Sequence, residues 1–363
     1  MGAALDVSLL GDVVRDVLDD PSAVVSRWTS HELPGGVGNS SDGVFRVRGV
    51  ATTNGPDRKW SLVVKRLRRD SAEVGVDAPR HPVYWRREVD AYASGLLDEL
   101  PRGVAVPRCW RIVRCEGERA ELWLEDLGAM DHPWASAARR DAAVHLARFH
   151  SAYLTGTGIP GYPWMAMYFA RQWHDLLMPW IEPAVNAVRG TARHLAAPIA
   201  ILDHPALLLD ALESAPQTLC HHDPNPANLM LRSLPDGGTE LVAIDWQLVG
   251  RGPIGEDLGQ FLSTILAGAM PAERDRIESE VLAAYHVELM RSGVRMTLPE
   301  VHRGYYCAAA LRQVSFAFFQ LGEQLREVHT KERSRSAVEE FVRRMRHGHL
   351  PSLAARARAL SGG

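Results

Sequence analysis

Apolar residues follow a strand-like alternation through much of the first 125 residues and recur at helical spacing from Trp134 onward. This change of period divides the chain into a mixed, strand-rich part and a helical part. An opening helical stretch built on Leu5, Leu9, Leu10, Val13, Val14, Val17 and Leu18 stops at Asp19-Asp20-Pro21. Strands are expected at 23–33, 43–50 and 59–67, and the turn-rich linkers GGVGNSSD and TTNGPDR between them imply a small antiparallel sheet. A helix over 81–100 and strands at 108–115 and 119–125 complete this part. Helices are then expected at 134–153, 163–190, 203–214, 255–269, 272–292, 298–328 and 335–360. They are interrupted at 218–246, where two strand-like runs, 229–232 and 240–244, flank SLPDGGT as a hairpin.

A chain of 363 residues is long for one compact domain and suits two lobes. With 46% hydrophobic and 23% charged residues, its composition is that of an ordinary globular protein. A formal charge of -3 marks neither nucleic acid nor an anionic membrane as a bulk electrostatic partner, which leaves a small molecule. No run of 18 apolar residues exists, and the acidic N-terminal stretch is unlike a signal peptide, so a cytoplasmic location is expected. Cys109, Cys115, Cys220 and Cys307 are scattered and form no C-x-x-C pair, which makes them packing residues rather than a disulfide framework or a zinc site.

Only three of the 41 basic residues are lysine: Lys59, Lys65 and Lys331. A lysine inside the apolar strand LVVKRL therefore invites a chemical explanation, because arginine does not replace a compact point charge. The plain alternative is an edge lysine reaching for water.

The strongest chemical signal is the run His221-His222-Asp223-Pro224-Asn225-Pro226-Ala227-Asn228, followed 17 residues after Asn228 by Asp245 in LVAIDWQ. Phosphoryl transfer needs one carboxylate to orient the acceptor hydroxyl, and an amide oxygen and a second carboxylate to hold Mg2+ on the phosphates. Asp223, Asn228 and Asp245 form such a set, and the hairpin between them returns Asp245 toward Asn228. The same residues could merely fix turns.

The H-x-D-x-x-x-x-N loop followed by an apolar strand and Asp resembles the aminoglycoside phosphotransferase and choline kinase group of small-molecule kinases, and nearly the whole chain follows that order. The resemblance implies an α+β, bilobal, protein-kinase-like fold, with a small N-terminal lobe built on an antiparallel sheet and a larger helical C-terminal lobe. The implied division is 1–125 for the nucleotide-binding lobe, 126–128 for the hinge and 129–363 for the helical lobe with catalytic loop and substrate pocket. ATP or GTP and Mg2+ are the implied cofactors, a hydroxyl-bearing small molecule is the implied partner, and the protein is expected as a monomer or homodimer.

Carried over residue by residue, the resemblance makes Asp223 catalytic, Asn228 and Asp245 metal ligands, and His221 and Asp257 supporting residues. Gly35, Gly36, Gly38, Asn39 and Ser40 would fold over the phosphates, although glycines between strands are also plain turns. Lys65 would contact the phosphates and Glu88 would pair with it, Asp90 being a neighbouring helix acid. Glu125 and Leu127 would meet the base at the hinge, where two acids could equally end a solvated turn. His150 matches a recurring helix position and is read as a packed core histidine.

Two departures from the family pattern stand in the loop: His222 replaces a usual glycine, and Asn225 stands where histidine is common. Polycationic acceptors call for an acidic pocket, yet residues 271–363 hold 15 Arg and Lys against 11 Asp and Glu. Neutral or weakly charged antibiotics such as nucleosides or macrolides fit better. A metabolic kinase of an amino sugar, choline or similar alcohol, and a non-catalytic nucleotide-binding regulator, are the alternatives. Trp164, Met165, Met167, Tyr168, Phe169 and Trp173, with Tyr305, Tyr306, Phe316, Phe318 and Phe319, could line a pocket, though such stripes more often form core.

Overall fold

The computed structural model describes residues 5–34, 40–69, 78–116, 118–129, 134–156, 158–328 and 330–361. The chain forms two units. One comprises Met1–Leu100, Ala105–Met130 and Val242–Leu248, the other Pro101–Val104, Asp131–Leu241 and Val249–Gly363.

The first unit opens with helix α1 (Val7–Leu18), capped by the Asp6 carboxylate, which accepts from the Ser8 and Leu9 N–H groups. Strands β1 (Val24–Glu32), β2 (Ser41–Thr52) and β3 (Arg58–Arg68), the short helix α2 (Arg87–Ala93) and, past the two-residue strand β4 (Val104–Ala105) that straddles the boundary with the second unit's Pro101–Val104, strands β5 (Cys109–Cys115) and β6 (Arg119–Glu125) follow. Five of them make a wholly antiparallel sheet in the order β1-β2-β3-β6-β5. Alternation along β3 sends Trp60, Leu62 and Val64 into a core with Leu10, Val13, Val14 and Leu18 of α1. Ser61, Val63 and Lys65 therefore face the other way, and Lys65 sits opposite Val44 on β2 and Leu122 on β6.

The helix expected over 81–100 is only seven residues long. Turns occupy the segment before it, with Tyr84 N–H donating to the His81 carbonyl, and Gly95 at φ +78° follows its end. Proline at 82 and a left-handed glycine both oppose a longer helix.

The second unit holds α3 (Ser136–Thr155), α4 (Phe169–Val188), α5 (Ala196–Asp203), α6 (Ala206–Ser214), β7 (Gln217–Cys220) and β8 (Leu229–Ser233). Strand β9 (Thr239–Ala243) returns the chain to the first unit, and β10 (Gly250–Pro253), α7 (Glu256–Gly268), α8 (Pro271–Arg291), α9 (Leu298–Glu327), α10 (Lys331–His347) and α11 (Leu350–Ser361) complete the second. Strands β7 and β10, neither of them expected, pair antiparallel through Cys220 and Gly250.

The single helix expected over 335–360 is two helices, broken at Gly348, with Pro351 in the first turn of the second. Of the aromatic stripe, Trp164, Phe169, Tyr305, Tyr306 and Phe318 are core residues, while Tyr168 and Phe316 are exposed. Among the described residues no single helix is long and apolar enough to cross a membrane.

Candidate active site

In the first unit the Lys65 ammonium lies 2.6 Å from Glu88 Oε2 and 2.6 Å from Asp245 Oδ1. The sheet brings the lysine, α2 brings the glutamate, and the return of Val242–Leu248 brings the aspartate. Burial alone would lower the lysine pKa, but Asp245 and Glu88 outweigh it and raise it, so the group stays charged. Burial pushes Glu88 up, against the pull of Lys65.

Glu88 is 1% exposed and Asp245 26%, so Asp245 is the carboxylate of this pair that a ligand can reach. Asp245 holds a left-handed backbone, φ +65°, and the next residue donates its N–H to Glu88 Oε1 at 3.4 Å. Arg87, which sequence reasoning did not single out, is fully buried and donates to the carbonyls of Pro82 and Gln247 at 2.9 Å each. It ties the start of α2 to the Asp245 segment, and burial brings its pKa down to about 10. One arginine among many gives no sequence signal for that role.

Gly35, Gly36, Gly38 and Asn39 lie outside the described residues. Ser40 is buried, and its carbonyl accepts from Arg68 N–H. Glu125 is bound at both ends to Arg108: its N–H donates to the Arg108 carbonyl at 2.8 Å, and its carboxylate accepts from the Arg108 N–H at 3.1 Å. Leu127 is half-buried beside Asp126, whose carboxylate takes Arg46, Ser61 and the Gly128 N–H. A groove of about 600 Å³ is lined by Arg27, Arg48, Val50, Lys59, Ser61 and Asp126. Five of these, Arg27, Arg48, Val50, Lys59 and Ser61, lie on the face of the sheet that carries Lys65, by the strand alternation and pairing.

In the second unit β7 leads directly into the loop that holds Asp223. Asp257, at the start of α7, accepts the N–H groups of His221 and His222 at 2.9 Å each. The same carboxylate meets His150 Nε2 at 3.0 Å, and His150 Nδ1 meets the Tyr285 hydroxyl at 2.6 Å. Complete burial works against the Asp257 charge, but the hydrogen bond from His150 and the nearby histidines overcome it and hold the pKa down to about 2.

His221 Nδ1 then accepts the Asp223 N–H at 3.1 Å. Asn228 Nδ2 donates to the Asp223 carbonyl at 3.0 Å and to its Oδ2 at 3.2 Å, which leaves the amide oxygen to act as the acceptor. Asn225 caps the turn between them by accepting from the Ala227 N–H. His222 has φ +64°, a left-handed conformation in which glycine is unstrained. Its ring is fully buried, 3.1 Å from Glu256, and stacks on Phe169 with centroids 4.6 Å apart.

Two groups that reach Asp223 were invisible in the sequence. Gln260 Nε2 donates to Asp223 Oδ1 at 3.1 Å, and Arg312 Nη2 lies 3.5 Å from the same oxygen. They are 37 and 89 residues away along the chain, on helices otherwise read for their apolar faces.

Asn228 in the second unit and Asp245 in the first each carry a hard oxygen donor, and each by itself has the chemistry of an Mg2+ ligand. Asp223, whose own N–H is held by His221 and whose carboxylate accepts from the Asn228 and Gln260 side-chain amides, is built as an oriented carboxylate rather than a freely rotating one.

Residues 54–296 match the sequence model of the phosphotransferase enzyme family. Among curated proteins no sequence matches the chain. Among solved structures, the chain is similar to a microcompartment-associated aminopropanol kinase, with a TM-score of 0.55 and 17% identity over 98% of this chain and 99% of that one. It is also similar to the GDP and kanamycin complex of APH(2″)-IIIa, with a TM-score of 0.51 and 13% identity over 93% and 98% of the two chains. These likenesses bear on the fold, which is the mixed α+β, protein-kinase-like one expected from the sequence.

Proposed function

Because the chain belongs to the phosphotransferase enzyme family, we propose that it transfers the γ-phosphate of ATP or GTP to a hydroxyl of a small molecule. The observation that carries this reading is the buried ammonium of Lys65 between Glu88 and Asp245, 2.6 Å from each. A lysine kept charged between two carboxylates, in a chain that almost always uses arginine, is suited to phosphate oxygens rather than to packing.

In the proposed reaction the acceptor oxygen attacks the γ-phosphorus, the bond to the β-bridging oxygen breaks, and the acceptor proton passes to the Asp223 carboxylate as the nucleoside diphosphate departs. Asp223 acts chiefly by orientation, since a loose transition state asks for alignment more than for base strength. Lys65 neutralises charge on the phosphates, and Glu88 positions it. Mg2+, when bound, neutralises further phosphate charge, with Asn228 and Asp245 as the residues that would hold it.

The acceptor we propose is a neutral or weakly charged natural product such as an antibiotic. Support comes from the net basic composition of residues 271–363. Amino sugars and amino alcohols form the competing class, and a structure to which the chain is similar carries GDP, so both nucleotides belong in the test.

The test is magnesium-dependent transfer from ATP or GTP to a panel of antibiotics, amino sugars and amino alcohols, read as a mass gain of about 80 Da on the acceptor. Asp223→Ala should abolish that gain while nucleotide binding persists. Absence of nucleotide binding in the wild-type protein would refute the assignment.

A further inference from the structure

We propose that Arg312 sets the charge preference of the acceptor site, so that the hydroxyl is accepted from a molecule whose reacting end carries no ammonium group. The inference rests on the phosphotransferase reading and on Asp223 as the acceptor-side carboxylate.

Arg312 reaches across from α9 to the loop. Its Nη1 donates to the His222 carbonyl, and its Nη2 stands 3.5 Å from Asp223 Oδ1. The guanidinium lies over the rings of Phe169, at 5.1 Å, and Trp173, at 5.6 Å, and those rings continue the stack under His222. Packing here is tight: the space left beside these residues is about 10 Å³, room for no more than a water. Arg312 is therefore a fixed charge, with a side chain 17% exposed against 22% for Asp223, so both present an edge to solvent at one spot.

The two other acids beside the loop are buried, Asp257 fully and Glu256 at 6% exposed. Asp257 is taken by His150 and two backbone N–H groups, and Glu256 lies 3.1 Å from His222 Nδ1. An acceptor ammonium brought to Asp223 would meet the Arg312 guanidinium and would find both of these carboxylates buried. Repulsion of like charges at a partly desolvated site is a strong filter. A neutral hydroxyl, or one beside a carboxylate or phosphate, meets no such opposition.

The experiment compares three acceptor classes, polycationic aminoglycosides, neutral nucleosides or macrolides, and hydroxy acids, on the wild-type protein, Arg312→Gln and Arg312→Glu, with melting temperature recorded for each. We expect wild-type kcat/KM for the best neutral or anionic acceptor to exceed that for any polycation by at least about tenfold. Arg312→Glu should shrink or reverse that ratio through KM, and Arg312→Gln should fall between. A polycation turned over as well as the best neutral or anionic acceptor overturns the proposal, as does an unchanged ratio in both variants.

If nothing on the panel is phosphorylated, slow magnesium-dependent hydrolysis to water serves as the readout. Inhibition of the wild type by polycations at lower concentration than by neutral compounds overturns the proposal, and inhibition appearing only in Arg312→Glu supports it. Loss of every nucleotide-dependent activity would instead refute the phosphotransferase reading.

Discussion

Lys65 holds two carboxylates together, so its removal acts on stability and on function at once. Lys65→Met leaves Glu88 buried with no counter-charge, and uncompensated buried charges of this kind cost about 3–5 kcal/mol. Pairing it with Glu88→Gln should restore most of the melting temperature without restoring phosphate transfer, which we expect to stay down by about a hundredfold or more. Recovery of both would mean that Lys65 is only a structural ion-pair partner.

Asp257 gives a pH prediction. Its folded pKa of about 2 lies below the ordinary value of 3.8, so its contribution is present above pH 4 and is lost as pH falls toward 2. Wild-type protein should therefore lose about 2 kcal/mol over that window that Asp257→Asn does not lose, measured by urea unfolding at each pH. Lys65 stood out in the sequence as a lysine inside an apolar strand of a lysine-poor chain, and Asp257 was reached only through the family resemblance. Arg312 and Gln260 were reached by neither route, because a polar residue on a helix with an apolar face looks the same whether it meets solvent or a loop far away in sequence.

At the scale of elements, α9 shows how closely other backbone can approach a helix where no Cβ intervenes. A Cβ at Gly304 would stand 2.0 Å from the Ile254 carbonyl oxygen, and one at Gly322 would stand 2.1 Å from that of Trp180. Gly304→Ala should lower stability by about 1–3 kcal/mol, since a backbone carbonyl cannot step aside as a flexible side chain can. Gly268→Ala, at the end of α7 with nothing within 4 Å, should be neutral or slightly stabilising in the same thermal melt.

The long helices and the first three strands were readable because each keeps one period over many residues. Strands β7 and β10 are four residues long, and β10 reads Gly-Arg-Gly-Pro, so neither carries a periodic signal. Their pairing is nonetheless what delivers the chain into the Asp223 loop.

For the whole molecule, the return of Val242–Leu248 to the first unit has a consequence for how that unit folds. Glu88 receives the Trp246 N–H, Arg87 donates to the Gln247 carbonyl, and Lys65 pairs with Asp245, all from this short segment. A fragment of residues 1–130 would lack these partners and keep buried charges uncompensated. We expect it to show no cooperative thermal transition by circular dichroism, whereas the full chain should. A cooperative melt of the fragment would show that the returning segment contributes little to the unit.

Local chemistry written in the sequence was enough to determine the α+β class and the order of most elements, and to nominate residues for phosphate chemistry, because strand alternation, helical spacing and short motifs act over a few neighbouring residues. Tertiary structure alone decided which side chains meet: that Arg87 anchors α2, that His222 stacks on Phe169, and that Arg312 reaches Asp223 from α9. Such contacts depend on how elements distant along the chain pack together, and no local pattern of residues encodes that packing.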